Sequence, residues 1–401
     1  MTSYLSQKSD YSKKIRVLIT TPNHWIYGGV QNYVFNVLSH MNIENKQIDI
    51  YFSGQVQESY YLQKLNDMGI NLYSGNEKKM YNFVSDYRNI RKLIKLHKYN
   101  ILYVNTGFIL FHALNYFAVF GNKKILKISH SHSYANLAIE NKSFLKRIAY
   151  KFSRFFLTQN ADYFLTCSTV AGNWLYGEKK MNEKGLVINN GIVIDKFLFS
   201  QTYRKSLRDA FGVDEDCYVL GLTAHFTPPK NHKFLFQVFS EFLKLHEDSR
   251  LLLLGGGDDK PKYEELAKKM QIDNKTIFMG NVINANEYYS AMDIFVMPSL
   301  HEGLCFVGIE AQTACLPCLF SDGVPEAVAV TGNAHFCSLQ KSAKEWAENI
   351  SDILEDSSVD KRLEQSKNVQ SQIAAAGYDL KQSAEQIESI FDSVLKGDNN
   401  D

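Results

Sequence analysis

The sequence predicts an α/β protein built from two doubly wound parallel sheets. Short apolar or β-branched runs alternate with helix-like segments along the whole chain, which is the pattern of parallel strands joined by helical crossovers. The alternation forms two series, separated by a polar, charged stretch at residues 195–216. A chain of 401 residues is long enough for two domains of this kind.

The first series begins at residues 15–20, where the β-branched run IRVLIT predicts a strand before a turn and an apolar-periodic helix at 30–41. Further strands of this series are predicted at 48–52, 101–104, 124–129, 163–167 and 186–189. Strands of the second series are predicted at 218–223, 250–254, 276–279, 293–297 and 317–320. Right-handed crossovers would arrange each series as a parallel sheet.

Domain boundaries follow from the two series. We predict an N-terminal domain over residues 15–192 and a C-terminal domain over 193–378. Residues 379–395 have the pattern of an amphipathic helix, which we expect to pack back toward the N-terminal domain. The polar segments 1–14 and 396–401 are predicted to be disordered.

Composition excludes several classes of protein. Lys plus Arg (44) nearly balance Asp plus Glu (43), so we predict no nucleic-acid partner. The most apolar stretch, residues 101–120, contains Asn105, His112 and Asn115, and therefore predicts a strand and a buried helix, not a membrane span. The N-terminus lacks the pattern of a signal peptide, which favours a cytoplasmic location.

The six cysteines are scattered through the sequence, and several lie in apolar runs. Cys315 and Cys318 form a C-x-x-C after an Ala-rich helical segment, without the surrounding pattern of a redox fold and without a second pair for zinc. We interpret the cysteines as reduced, mostly buried thiols, as expected in a cytoplasmic protein.

The sharpest motif is PSLHEGLCFVGIEA at residues 298–311, between a predicted strand and a predicted helix. Open parallel sheets bind ligands at such junctions, and the unpaired N–H groups from Gly303 onward favour an anion. Glu302 precedes the helix and Glu310 is expected about two turns into it, so their carboxylates suit hydroxyl groups at different parts of one extended ligand. The alternative roles are a loop or cap residue for Glu302 and a solvated residue for Glu310, although Glu310 lies in an apolar stretch.

A second motif, GLTAHFTPPKNH at residues 221–232, also joins a predicted strand to a predicted helix. Lys230 at this junction suits a diphosphate, and His225 is a second candidate donor or cation. An ordinary surface lysine near a helix start is the alternative for Lys230.

Glycines mark two more strand ends. Gly28 and Gly29 precede a predicted helix, where they would permit close approach of the backbone to a phosphate. Residues 255–257 (GGG) follow another strand but lack the spacing and the acidic residue of a dinucleotide fingerprint, so that interpretation fails.

Two patterns raise the question of a metal. His130 and His132 alternate at the end of a predicted strand, but no nearby carboxylate or cysteine completes a ligand set, which favours one histidine that contacts a substrate, with a structural neighbour. Residues 214–216 (DED) form a D-x-D in the polar linker and are interpreted as a solvated turn. We predict no metal site and no cofactor.

Together these motifs resemble the GT-B-fold glycosyltransferases of the retaining family 4, particularly bacterial capsular and exopolysaccharide transferases. The resemblance covers roughly residues 15–391 and implies two Rossmann-like domains facing each other across a cleft. The segments that carry it are Gly28-Gly29, residues 129–132 (SHSH), 188–197 (INNGIVIDKF), 230–232 (KNH) and the E-x7-E from Glu302 to Glu310.

The resemblance implies a role for each matching residue of the C-terminal domain. Glu310 would hold the ribose hydroxyls of a nucleotide, Glu302 would contact the donor sugar, and Lys230 would neutralise the diphosphate. The backbone near Asn281 and Val282 would read the base. Backbone N–H groups would bind the sugar and diphosphate at Gly303, Leu304, Cys305, Phe306 and Val307.

Three further positions are implied with alternatives. Gly28 and Gly29 would approach the diphosphate from the N-terminal domain. His130 would face the transferred sugar, although His132 is an equally good match to the family motif. His225 stands where the family usually carries an arginine, which puts in doubt how strongly that position stabilises the diphosphate.

The activity implied is transfer of a hexose, with retention and without a metal, from a nucleoside diphosphate sugar, expected to be a UDP-sugar. The acceptor would be a saccharide, in keeping with a lipid-linked intermediate of polysaccharide assembly. Two other classes remain open: a GT-B epimerase acting on a UDP-sugar, and a non-catalytic partner that binds a sugar nucleotide.

Residues 142–156 (KSFLKRIAYKFSRFF) predict a basic amphipathic helix. Phe144, Ile148, Phe152 and Phe155 fall on one stripe, and the cationic side chains gather away from it. The helix either packs this stripe into the core or is attracted to anionic lipid at the inner face of the cell membrane; both remain open.

Overall fold

The computed structural model describes residues 3–4, 15–21, 29–54, 60–75, 83–132, 144–303 and 305–397. The chain divides into an N-terminal unit, Met1–Gly191 with Leu380–Asp401, and a C-terminal unit, Ile192–Asp379. Each unit is built on a sheet of its own and has its own hydrophobic core. The predicted class, two α/β domains with parallel sheets, is therefore confirmed.

The sheet of the N-terminal unit contains eight strands in the described residues: β1 (Ser3–Tyr4), β2 (Ile15–Thr21), β3 (Lys46–Phe52), β4 (Asn71–Ser74), β5 (Ile101–Asn105), β6 (Leu126–Ser131), β7 (Tyr163–Thr166) and β8 (Gly185–Val187). Their order is β1-β4-β3-β2-β5-β6-β7-β8, and all neighbours are parallel except β1 and β4. The direction of addition reverses between β2 and β5, as in a doubly wound sheet.

Helices of this unit connect the strands: α1 (Gly29–His40), α2 (Tyr60–Asp67), α3 (Phe83–His97), α4 (Ile109–Ala118), α5 (Phe144–Asn160), α6 (Thr169–Tyr176) and α7 (Glu178–Lys184). Residues 101–120 form strand β5 and the mostly buried helix α4, as predicted. Within the described ranges, no helix is long and apolar enough to cross a membrane.

The C-terminal unit has six parallel strands: β9 (Tyr218–Thr223), β10 (Ser249–Leu254), β11 (Thr276–Gly280), β12 (Ile294–Met297), β13 (Cys318–Ser321) and β14 (Ala334–Cys337). Their order is β11-β10-β9-β12-β13-β14. The helices are α8 (Ile194–Phe197), α9 (Gln201–Phe211), α10 (His232–Leu245), α11 (Lys260–Lys269), α12 (Ala285–Ala291), α13 (Phe306–Thr313), α14 (Ala343–Glu355) and α15 (Val359–Ala375).

The chain ends with α16 (Leu380–Gly397), which packs on α1 and β2 in the N-terminal unit. Ile387 and Phe391 are buried on this helix, and the ring of Phe391 meets Tyr103 edge-on with 5.7 Å between centroids. The buried ammonium of Lys46 lies 3.3 Å from Glu388 and 2.9 Å from Asp392. Apolar burial and ion pairs therefore both hold α16 against this unit.

Several sequence predictions need correction. Ser3 and Tyr4 pair with β4, so the predicted disorder of residues 1–14 does not hold for these two; most of that segment lies outside the described residues. Strands β4 and β14 were not predicted, because each has only four residues and includes polar ones. Strand β6 continues to Ser131, two residues beyond its predicted end.

For α5, the structure decides one of the two alternatives that the sequence left open. Phe144, Ile148, Phe152 and Phe155, the apolar stripe, are 74%, 49%, 57% and 63% exposed. The helix instead buries Ser153, Phe156 and Leu157, and the ring of Phe156 stacks on Phe117 of α4 at 3.9 Å. Packing this stripe into the core is therefore excluded, and the stripe remains on the surface.

The structure agrees with the predicted burial of the cysteines and with the predicted exposed turn at the D-x-D. All six cysteines are free and buried. Residues 214–216 form an exposed turn, in which Glu215 accepts from the guanidinium of Arg204 at 2.9 Å. The described residues contain no cluster of His, Cys, Asp or Glu that could hold a metal ion.

Candidate functional site

The sheet of the C-terminal unit reverses its order beside β9. The chain adds β10 and β11 on one side of β9 and then returns to place β12 on the other side. Open α/β sheets bind ligands in a crevice at such a reversal, so we expect a ligand beside the loops that leave the carboxyl ends of β9 and β12. These two loops carry the two sharpest sequence motifs.

Lys230 and Glu302 meet at this crevice. The Nζ atom of Lys230 donates to Oε1 of Glu302 at 2.6 Å, and both side chains are largely buried. Lys230 ends a one-turn 3₁₀ helix, Pro228–Lys230, and Asn231 follows with a left-handed φ of 56° before α10 begins. The prolines and this left-handed residue thus shape the turn that carries Lys230, and the contact with Glu302 places its ammonium.

Further hydrogen bonds tie the two loops together. The amide of Asn231 donates to the carbonyl of Pro298 at 3.1 Å, and the N–H of Leu300 donates to the carbonyl of Pro229 at 2.8 Å. Two loops separated by about seventy residues in sequence therefore form one rigid element around the ion pair.

The loop after β13 supports Glu302 from the other side. The N–H of Glu302 donates to the carbonyl of Gly323 at 3.0 Å, and the hydroxyl of Ser321 donates to the carbonyl of Ser299. A Cβ atom on Gly323 would lie 2.4 Å from the Ser299 carbonyl oxygen, so only glycine allows this approach. Sequence analysis missed Gly323, which has no recognisable motif around it.

Glu310 lies one turn into α13, not two as predicted, because the helix begins at Phe306. The hydroxyl of the buried Tyr289 donates to Oε2 of Glu310 at 2.8 Å. Burial raises the pKa of the Glu310 carboxyl to about 7, and the hydrogen bond from Tyr289 only partly opposes this shift. Tyr289, in α12, could not be identified from sequence because nothing in its surroundings indicates a functional residue.

The start of α13 provides backbone donors. Cys305 is the buried N-cap residue, and Phe306 and Val307 are the first two residues of the helix. N–H groups in the first turn have no intrahelical partner, and the helix dipole favours an anion beside them. Gly303 is exposed, and a Cβ atom added there would meet no described residue within 4 Å apart from its chain neighbours; Leu304 lies outside the described residues.

His225 lies in the loop after β9, with its Nδ1 atom 3.3 Å from the carbonyl oxygen of Gly256. Gly255 has a φ of 136°, and a Cβ atom there would lie 2.1 Å from the Ala224 carbonyl oxygen. The run of glycines therefore serves close packing between the loops after β9 and β10, which agrees with rejecting a dinucleotide fingerprint.

The loop after β11 lies at the same carboxyl edge. Val282 is half-buried in this loop, whereas Ile283 is fully exposed. The exposed Asn281 side chain approaches Gly256, where a Cβ atom would lie 2.7 Å from its amide nitrogen. The C-terminal unit thus brings together the predicted positions from His225 to Glu310 at one edge of its sheet.

The predicted histidines lie in the N-terminal unit. His130 belongs to β6 and is completely buried, with its Nδ1 atom 2.6 Å from the hydroxyl of Tyr103. His132 follows the strand, stacks on His130 at 4.1 Å, and places Nε2 2.9 Å from Oδ1 of Asn105. His132 lies beyond the end of β6. His130, which we also expected beyond the strand, lies within it.

Burial keeps both rings neutral. It lowers the pKa of His132 to about 3 and the pKa of His130 well below its usual value. The Nε2 atom of His130 is buried and has no hydrogen-bond partner among the residues that the structure describes. Gly29 is the first residue of α1, and Gly28 lies outside the described residues.

Comparison with known proteins identifies the class. Residues 27–196 match the family described as Glycosyltransferase Family 4, and residues 204–372 match the family described as Glycosyl transferases group 1. The two matches cover most of both units. The chain belongs to the family 4 glycosyltransferases of GT-B fold, and the resemblance seen in its motifs is confirmed.

Individual relatives agree with this assignment. EpsF of Bacillus subtilis, named as a glycosyltransferase, is 25% identical over 376 residues, which cover 93% of this chain and 95% of EpsF. CapM of Staphylococcus aureus, named as a capsular polysaccharide biosynthesis glycosyltransferase, is 24% identical over 229 residues, or 55% of this chain and 57% of CapM. HepE of Anabaena, solved in complex with UDP-glucose, superposes with a TM-score of 0.72 at 16% identity, over 94% of this chain and all of HepE.

Proposed function

We propose that the protein transfers a hexose from a UDP-sugar to a saccharide acceptor, with retention at the anomeric carbon. The observation that carries the proposal is the ion pair of Lys230 and Glu302 at the carboxyl edge of the C-terminal sheet, with Glu310 on the helix that follows. A cation, a helix N-terminus and two carboxyl groups suit a ligand with a diphosphate at its centre and hydroxyl groups on both sides.

Lys230 stabilises the departing diphosphate in this proposal. Its ammonium has three donors and gives one of them to Glu302, so two remain for phosphate oxygens. The N-terminus of α13 adds backbone N–H groups aimed at the same charge. Together they supply the positive charge that the leaving group needs, so the proposed reaction uses no metal ion.

Glu302 and Glu310 bind hydroxyl groups at the two ends of the donor. Glu302 keeps an oxygen beside the crevice for the hexose, while its other contact aims Lys230. Glu310, held by Tyr289, accepts hydrogen bonds from the ribose. Val282 in the loop after β11 contacts the base, and His225 donates to the diphosphate.

The N-terminal unit supplies the acceptor side in this proposal. Gly29 begins a helix at the carboxyl edge of that sheet, and His130 and His132 are neutral donors at the end of β6. The half-buried His132 is the better candidate to contact a sugar, since His130 is completely buried. His130 then positions His132 by stacking.

The choice of substrates draws on the relatives. HepE was solved with UDP-glucose, and CapM is named for capsular polysaccharide biosynthesis. We therefore propose a UDP-hexose donor and a cell-surface polysaccharide product. The exposed, basic helix α5 suits an acceptor carried on a lipid at the inner face of the membrane.

A ligand screen tests the donor assignment. Because a ligand that binds only the folded state raises its apparent stability, UDP and UDP-hexoses should raise the melting temperature more than ADP- or GDP-sugars. NMR of the product formed with an oligosaccharide acceptor should then show the same anomeric configuration as the donor. Formation of an epimer without acceptor, or binding without transfer or hydrolysis, would overturn the proposal.

A further inference from the structure

An apolar groove lies among α3, α4 and α5 in the N-terminal unit. It encloses about 840 Å³, and its walls consist mainly of aromatic and aliphatic side chains. Those that form its apolar surface include Phe83, Val84, Leu110, Leu114, Phe117 and Phe120. A concave, mostly apolar site of this volume is typical of ligand pockets.

The groove continues into the exposed stripe of α5. Ser153 of α5 lines the groove, and Phe156 of the same helix stacks on Phe117 in its wall. The ring of Phe156 in turn lies 6.5 Å from that of Phe152, which is 57% exposed. The apolar surface of the groove therefore continues through Phe156 to Phe152, one member of the stripe.

Positive charge lies on the two helices beside the groove. Helices α3 and α5 carry four Lys or Arg residues each, and their only acidic residue, Asp86, is buried. Arg91 lines the groove itself, and the side chains of Arg147 and Lys151 are exposed on α5. An occupant must therefore be apolar at its centre and anionic at its edge.

This charge pattern selects the occupant. A second copy of the chain, docked by the same surface, would bring two sets of cations together, which is unfavourable in a symmetric interface. An anionic lipid satisfies both requirements, because its hydrocarbon chain and its phosphate are adjacent parts of one molecule.

We propose that the groove takes one hydrocarbon chain of an anionic membrane lipid, while the cations of α3 and α5 bind the phosphate of its headgroup. The proposal rests on the proposed function for the placement of the protein at a membrane, and it deepens that function by naming the residues that hold the lipid. It assigns no part in the transfer chemistry to these residues.

Quenching by brominated lipids tests occupancy of the groove. Leu114→Trp places a fluorophore in the groove wall, and Leu96→Trp places one on α3 outside the groove, where Leu96 is 62% exposed. Vesicles of phosphatidylcholine, with or without phosphatidylglycerol, would carry bromine on their acyl chains. The tryptophan at 114 should be quenched only in the vesicles with phosphatidylglycerol, and the tryptophan at 96 should not be quenched.

Two results would overturn the proposal: no quenching at position 114, or equal quenching at 114 and 96, which would indicate adsorption without entry of a chain. The wild-type signal is subtracted because the chain has native tryptophans. Phe117→Trp, a ring-for-ring substitution in the same wall, replaces Leu114→Trp if that variant does not fold.

A charge variant separates this proposal from the assignment of the donor. Arg91→Glu with Lys151→Glu should reduce flotation with phosphatidylglycerol vesicles at least tenfold and leave the UDP-induced thermal shift unchanged. If UDP gives no shift in any variant but quenching at 114 persists, the proposed donor is wrong and the lipid groove stands. Unchanged flotation of the double variant would contradict the groove proposal.

Discussion

Lys230 and Glu302 show how one contact can fix the positions of two residues. The ion pair uses one of the three N–H donors of the ammonium and holds the carboxylate beside it. Their partnership follows from the neighbouring positions of β9 and β12 in the sheet, although the residues are far apart in sequence.

The first residue-scale prediction concerns Lys230. Lys230→Ala should weaken UDP-hexose binding about 10- to 100-fold, because a hydrogen bond to a charged group contributes about 1.5–3 kcal/mol. The transfer rate should fall more steeply, since the diphosphate gains charge in the transition state. Calorimetric titration and kcat/KM would measure the two effects.

Lys233→Ala is the matched control for this variant. Lys233 lies on α10, three residues from Lys230, and its side chain is exposed. Its replacement should leave binding and transfer near the wild-type values. Near-normal transfer by Lys230→Ala would remove the proposed role of this lysine.

The second residue-scale prediction concerns the pH dependence of Glu310. With a pKa of about 7, its carboxyl is increasingly protonated below pH 7 and loses acceptor capacity for ribose hydroxyls. UDP-hexose affinity should therefore fall as the pH decreases from 8 to 6, because binding favours the ionised form. A UDP-sugar suits this titration because its diphosphate is esterified at both ends and does not titrate in that range.

Glu310→Gln provides the comparison for the pH titration. The amide keeps the shape of the side chain but has no proton to gain, so affinity should be weaker and much less dependent on pH. A wild-type affinity that does not change between pH 6 and pH 8 would contradict the role assigned to Glu310.

At the scale of elements, loops at strand ends form the candidate site and strands position them. The loop after β13 supports the loop after β12 through Gly323, and the glycines after β10 let that loop pack against the loop after β9. Glycine is required where these loops approach each other, because a Cβ atom would overlap a carbonyl group of the neighbouring loop.

Gly323→Ala tests this support. The added methyl group would lie 2.4 Å from the Ser299 carbonyl oxygen, so the loop that carries Glu302 must shift. We expect a loss of about 1–3 kcal/mol in the stability of the C-terminal unit, together with weaker UDP-hexose binding. Gly332→Ala, where a Cβ atom meets nothing within 4 Å, should change neither quantity.

The outcome that would contradict this expectation is unchanged binding by a destabilised Gly323→Ala variant. That result would show that the position of the Glu302 loop does not matter for the ligand. Urea denaturation and calorimetric titration measure the two properties independently.

Two buried histidines, one in α4 and one just after β6, predict that acid destabilises the N-terminal unit. Burial lowers the pKa of His112 to about 4 and that of His132 to about 3. The unfolded chain binds these protons near pH 6.5, so stability should fall as the pH decreases from about 6.5 toward 4. At pH 5 each histidine would cost about 2 kcal/mol.

Urea denaturation at pH 5 and pH 7 would measure this loss. His112→Gln should reduce the difference between the two pH values, because glutamine does not titrate. Equal stability of the wild-type N-terminal unit at both pH values would contradict the burial of neutral histidines.

At the scale of the whole molecule, the chain completes its N-terminal unit with its last helix. Helix α16 packs on α1 and β2, and the buried Lys46 at the start of β3 meets two of its acids. The C-terminal unit consists of one continuous segment, Ile192–Asp379, whereas the N-terminal unit requires both ends of the chain.

Lys46→Met should destabilise the N-terminal unit by about 2 kcal/mol. The methionine fills the apolar part of the space but leaves Glu388 and Asp392 without a cation; their partial exposure keeps the loss below that of a fully buried pair. Lys244→Met, at an exposed pair with Glu241, should have little effect. Urea denaturation with and without UDP separates the units, since UDP should stabilise only the C-terminal unit. A Lys46→Met variant as stable as wild type would contradict the role of Lys46 in holding α16 to the rest of the N-terminal unit.

The sequence predicts those features of this protein that depend on neighbouring residues. It does not predict those that depend on residues far apart in the chain. Strands β2, β9, β10 and β12 were identifiable because their apolar runs are local, and the site motifs follow strand ends for the same reason. Strands β4 and β14 were missed because they are short and interrupted by polar residues, whereas the equally short β12 is wholly apolar. Tyr289 and Gly323 were missed because their roles depend on residues distant in sequence.

Sequence alone determined the α/β class, the two series of elements, and the junctions where Lys230, Glu302 and Glu310 occur, because these depend on periodicity and on the chemistry of short segments. Tertiary structure decided that Lys230 pairs with Glu302, that burial beside Tyr289 raises the pKa of Glu310, and that the apolar stripe of α5 faces outward. Each of these depends on which distant segments become neighbours in the sheet or pack against each other. No short stretch of the sequence contains that information.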